Sequence, residues 1–239
     1  MASQTPDPTV VFLLRRAWDF RAKVDVLQIE AQLQSTSPRD RCDSVLFSVY
    51  HLLYSGAVAE ANITEYLRGG VVPGAVSAEI DDWDHSINIE AWRGKSFNNT
   101  RNIIGGLAFI VVLLFFFEGF CKLVAGGGKT INSELRQRGM VGLAKVIDWL
   151  RGEIPAASQG KLATVDFLKK YRNAWHSFGY YGGSNPVTCH GVTIQPAAAL
   201  PPIAPPESLL MLGDLLDMFF VVNDLRGSKP KRALKGLKP

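Results

Sequence analysis

The chain has 239 residues, 47% of them apolar and 20% charged, enough to bury a sizeable core as one large domain or two small ones and too apolar for wholesale disorder. Its formal net charge of +4 belongs to the end of the chain: residues 229–239 carry Lys229, Lys231, Arg232, Lys235 and Lys238 with no acid, leaving 21 basic against 22 acidic residues in the body. Three cysteines (Cys42, Cys121, Cys189) form no CxxC pair, and the stretch MASQTPDPTVV has neither the basic nor the apolar region of a signal peptide; a disulfide scaffold is not expected, and a reducing cytoplasm is the expected compartment.

The spacing predicts a first helix over about residues 9–33. Pro8 suits its opening turn, and Val10, Leu13, Leu14, Ala17, Val24 and Leu27 recur at helical intervals. Residues 35–38 break it. A second helix is predicted over about 39–58, with Val45, Leu46, Val49, Leu52 and Leu53 as its apolar stripe and residues 59–68 as an extension or a separate short helix. The run 69–74 is a breaker, and 79–84 an acidic loop.

The most apolar helix is predicted over 96–124, closed by Gly126, Gly127 and Gly128. Within it, residues 103–117 form a run of fifteen without a charge. A membrane span needs about 20 such residues, and this run reaches about 22 Å as a helix. Arg101 stands before it and Glu118 and Lys122 after it, so a helix enclosed by neighbours in a bundle is the expected reading, with a membrane span as the minority one. A further helix is predicted over about 132–150, and another over 161–176.

After position 176 the pattern changes. Two β-branched triplets, Val187-Thr188-Cys189 and Val192-Thr193-Ile194, flank His190-Gly191, which is the pattern of a hairpin with a two-residue turn. A Pro/Ala-rich connector follows, and Pro206-Glu207 opens a last helix to about residue 225. The expected fold is therefore all-α: one bundle of about six helices over residues 1–226, a small β-hairpin before the last helix, and a basic, disordered tail over 227–239. A solvated end is the default for that tail, with weak attraction to RNA or an anionic membrane as the alternative.

Gly128-Lys129-Thr130 resembles the end of a phosphate-binding loop, but Leu123 occupies the first glycine position and a helix rather than a strand precedes it. Asp81, Asp82, Asp84 and His85 match no calcium or zinc spacing, and Cys189-His190 has no second ligand pair, so neither metal nor cofactor is expected. The last pattern is Tyr171-Arg172-Asn173-Ala174-Trp175-His176. At about 100° per residue, Leu162, Val165, Leu168, Tyr171 and Trp175 share one arc, with Asp166, Lys170 and Asn173 opposite. Arg172 and His176, four apart, project inside the apolar arc. An arginine there needs a partner. Glu118 is one expected partner, unless it sits at its helix edge and reaches water, an equally open reading; carbonyls of residues 179–183 are the alternative, with His176 as a helix cap.

The stretch Arg172-Asn173-x-x-His176 resembles the signature of HEPN-type helical proteins, which carry an arginine, a polar residue directly after it, and a histidine a few positions on. Three residues separate the pair here, against four to six in the usual pattern. The resemblance implies a helical bundle that acts on RNA, either a metal-independent endoribonuclease of a toxin–antitoxin or other defence system or a non-catalytic interaction module of the same fold. It further implies a homodimer, and a neutralising protein partner for a toxin. In the catalytic version Arg172 stabilises charge at phosphorus, His176 transfers a proton, and Asn173 and Glu118 orient them.

Overall fold

The computed structural model describes residues 7–23, 41–67, 109–125, 142–177, 179–203 and 205–226. Six α-helices lie within them: α1 (Pro8–Lys23), α2 (Arg41–Leu67), α3 (Phe109–Ala125), α4 (Leu143–Glu153), α5 (Gln159–His176) and α6 (Pro205–Asp224). A short 3₁₀ turn, Ala156–Ser158, leads into α5, and strands β1 (Val187–Cys189) and β2 (Val192–Ile194) stand between α5 and α6. The mostly helical architecture with one hairpin before the last helix is the one expected. The glycine-rich breakers, the acidic loop with His85, the lysine-bearing segment after Gly126 and the basic tail lie outside the described residues.

Each helix begins and buries itself for local reasons. At α1, Asp7 Oδ1 accepts the Thr9 backbone N–H at 2.8 Å while Pro8 occupies the first helical position, where a missing donor costs nothing. Its buried residues are Leu13, Ala17 and Phe20. α2 buries Cys42, Leu46, Val49, Leu53 and Ala57, a stripe at helical spacing, and continues through residues 59–67 without a break. α1 and α2 pack along each other, and α5 packs on α6. Close approach of α2 to α3 is set at Gly56, where an added Cβ would lie 2.9 Å from the Phe109 ring.

α3 buries nine residues and leaves Val112 and Phe115 exposed. No helix among the described residues is long and apolar enough to cross a membrane. The described part of the apolar run, from Phe109 onward, packs against α2, α4, α5 and α6. Glu118 is satisfied within α3 itself, accepting a hydrogen bond from Lys122 Nζ at 2.6 Å one turn on. The expected pairing of Glu118 with Arg172 is therefore replaced by an i,i+4 pair, which costs less ordering because both partners ride on one rigid helix.

The hairpin pairs Val187 with Ile194, Thr188 with Thr193 and Cys189 with Val192. Its turn residues, His190 (φ 44°) and Gly191 (φ 79°), both take positive φ, as a two-residue turn matching the strand twist requires. Val192 and Ile194 enter the core, while Thr188 and Thr193 face out and share a hydrogen bond of 2.8 Å between hydroxyls.

One set of buried apolar side chains joins all six helices and β2. Its aromatic centre is Phe219 of α6, fully buried, with ring centroids 5.8 Å from Phe20, 5.1 Å from Phe117 and 5.6 Å from Phe120. Two of these contacts are edge-to-face. Phe219→Ala should lower unfolding stability by about 3–5 kcal/mol, since it empties a site bordered by rigid rings. Urea denaturation followed by circular dichroism measures this; Phe115→Ala on the exposed side of α3 serves as the small-effect control.

Candidate functional site

Helix α5 carries polar groups of interest at both ends. At its C-terminal end the covered face is not the one expected. Tyr171 and Ala174 are buried, and Tyr171 Oη donates to the Pro201 carbonyl at 2.6 Å, so the connector after the hairpin covers that side. Trp175, expected in the core, is exposed (44%), and His176 is exposed as well. Leu162, Val165 and Leu168, on the same arc earlier in the helix, are buried as expected. Gly179, with φ 83°, turns the chain away, its N–H bonding the Ala174 carbonyl at 3.0 Å.

Arg172 is half-buried rather than sealed. Its guanidinium lies 5.5 Å from the centre of the Phe115 ring, a cation–π contact. Its Nε and Nη2 donate to Asn173 Oδ1 at 3.3 and 3.1 Å. Among the described residues no carboxylate forms an ion pair with it. The His176 ring lies 5.8 Å from that of Trp175. Arg172, Asn173, Phe115, Trp175 and His176 thus form one aromatic and cationic surface, from which Glu118 is absent. Arg172 and His176 share no hydrogen bond. Chemically, the surface offers a planar donor fork and a titratable imidazole beside flat apolar faces, groups suited to phosphate oxygens and to stacked bases.

At the other end of α5 lies a constellation the sequence did not announce. Asp214 Oδ2 of α6 receives the Thr164 hydroxyl at 2.6 Å and the His190 Nε2 at 2.8 Å. Cys189 Sγ reaches Thr164 Oγ1 at 3.5 Å, extending the chain to four residues from three elements. Burial pushes the Cys189 thiol up; the Thr164 hydrogen bond opposes this and Asp214 adds to it, with burial winning. The thiol is thereby held as a donor and not as a nucleophilic thiolate. The only hint in the sequence is a histidine at a turn position that needs positive φ, where Asn, Asp or Gly is usual. Its partner is 24 residues away, so no local spacing reveals it.

Beside this group, Asp217 binds Lys161 Nζ at 2.7 Å and Arg16 Nη2, tying α5 and α1 to α6. Burial alone would raise the Asp217 carboxyl, but hydrogen bonds from Lys161 and Arg16 outweigh it and hold the group below its ordinary 3.8. Asp166 behaves alike, burial being outweighed by Lys169 and Lys170. Among the described residues no cluster of three or more His, Cys, Asp or Glu could hold a metal ion.

No known protein family, curated protein or solved structure matches the chain. The fold and sites described here therefore stand on the residues themselves.

A carboxylate whose folded value is depressed contributes stability above its unfolded value and loses it as pH falls through the folded one. Acidification below about pH 4 should therefore lower the urea midpoint, and Asp217→Asn should lower the midpoint at neutral pH while making its acid dependence shallower. Urea titrations at neutral and acidic pH on both proteins check this.

Proposed function

We propose that the chain is an HEPN-like, RNA-directed helical protein, acting as a metal-independent endoribonuclease of a toxin or defence system through Arg172 and His176. One observation carries the reading. Arg172 has no carboxylate partner among the described residues; it is held by Asn173 Oδ1 and rests against an exposed ring, Phe115. A guanidinium kept for structure would be expected in an ion pair, as those of Arg16 and Arg226 are. Here the fork is oriented from one side and accessible from the other.

The chemistry needs no external nucleophile. The RNA 2′-hydroxyl attacks the adjacent phosphorus, the bond to the 5′-oxygen breaks, and a 2′,3′-cyclic phosphate and a free 5′-hydroxyl result. His176 takes the 2′-hydroxyl proton or supplies one to the leaving oxygen. Arg172 stabilises the negative charge that builds on the phosphorus oxygens. Phe115 and Trp175 supply faces on which bases stack. Two copies of the chain would bring two such pairs to one groove.

A second reading, a non-catalytic interaction module, is favoured by the absence of any hydrogen bond joining Arg172 to His176 and by the exposure of Trp175. The two readings separate in a single experiment. Labelled RNA is incubated with the protein in chelator, alongside Arg172→Ala and His176→Ala variants. Both positions lie outside the core, so both variants should stay folded, with stability changed by about 0.5 kcal/mol or less. Ribonuclease action predicts cleavage to cyclic-phosphate ends, reduced about 10²–10⁴-fold in each variant. Cleavage that persists in both removes the pair from catalysis; RNA bound and left intact supports the module.

A further inference from the structure

An open cleft of about 540 Å³ lies between the end of α4, the first turns of α5, strand β1 and α6, away from the Arg172 surface. Its volume falls in the range of small-molecule sites. One part of the wall is apolar (Leu162, Ala157, Val187) and another is donor-rich, with Arg151, Lys161 and His190. We propose that this cleft binds a phosphate monoester with an apolar body, the phosphate being received by Arg151 and His190.

The argument starts at Asp214. An ionised carboxylate only accepts, so the 2.8 Å contact places the proton of His190 on Nε2. Nδ1 is then the acceptor of the ring. Asp214 is itself fixed through the same oxygen by the Thr164 hydroxyl, and Thr164 is buried. The imidazole is thus held in one tautomer and one orientation on the wall of the cleft. The turn also keeps His190 at φ 44°, in the left-handed region that few non-glycine residues enter.

Phosphate monoesters fit these groups because their second ionisation lies near pH 6: the monoanion has a P–OH to donate to Nδ1, and the dianion attracts a protonated ring. Arg151 is half exposed and holds Asp148 at 2.6 Å through Nη1, but reaches Asp166 only at 3.8 Å through Nη2, beyond hydrogen-bond length. That edge of the fork is available at little cost. Of the carboxylates that line the cleft, Asp166 is balanced by Lys169 and Lys170, while Asp214 turns the oxygen Oδ2 to Thr164 and His190. Lys161, although engaged with Asp217, adds a second cation to the wall.

The test uses the full chain with isotope-labelled histidine, observed by NMR and titrated separately with inorganic phosphate and with phenyl phosphate. The expected result is a saturable shift of the His190 ring signals, at least tenfold tighter for phenyl phosphate because only it fills the apolar wall. Arg151→Gln should weaken binding at least tenfold. His190→Asn is the decisive variant: asparagine tolerates positive φ, so the turn keeps its shape while the imidazole is gone, and circular dichroism with a urea titration checks that the variant is folded. Loss of binding in folded His190→Asn supports the proposal. Undiminished binding in that variant, a response that never saturates, or equal affinity for phosphate and phenyl phosphate overturns it. A His190 ring unmoved by either probe also overturns it and leaves the residue as a pin for the hairpin.

Discussion

Phe219 cannot be covered by any one neighbour. Its ring is enclosed only when Phe20 from α1 and Phe117 and Phe120 from α3 arrive together, so burial of this one side chain requires three helices far apart in sequence to meet. Each such ring buries a large apolar area, and the edge-to-face geometry adds direction to an otherwise non-directional force. α6 is also the helix that receives Arg16 and Lys161 at Asp217 and His190 and Thr164 at Asp214. The same element therefore fixes the core on one side and two polar networks on the other. The orientation of α5, and with it both surfaces discussed above, is inherited from that arrangement.

Much of this architecture was legible in the sequence because it is written in local periodicity. Asp7-Pro8 marks the start of α1, and the stripe through Leu46, Val49 and Leu53 marks the inner face of α2. The hairpin was legible to the residue, since two β-branched triplets around His190-Gly191 leave only one register for a two-residue turn. The shortness of the uncharged run and the charges on either side of it favoured an enclosed helix over a membrane span, and no helix among the described residues is long and apolar enough to cross a membrane.

What failed to be legible is equally specific. A helical wheel assumes that a helix is covered along its whole length, and α5 is not. Trp175 lies on the same angular arc as Leu168, yet Leu168 is buried and Trp175 is exposed. Glu118 was expected across the bundle and is satisfied one turn away, because a lysine at i+4 competes more effectively than a distant arginine. The His190–Asp214 pair could not be foreseen, since it depends on where a hairpin lands on a helix 24 residues downstream. Contacts of that kind belong to tertiary geometry and leave no spacing behind.

The turn at His190 and Gly191 narrows what position 190 can become. Backbone geometry alone admits Gly, Asn or Asp as readily as histidine, and none of these places an imidazole above the cleft. In homologous chains, drift toward those three residues would mark a turn kept only for its shape. Retention of histidine, where any of the other three would serve the backbone, would mark selection for the ring.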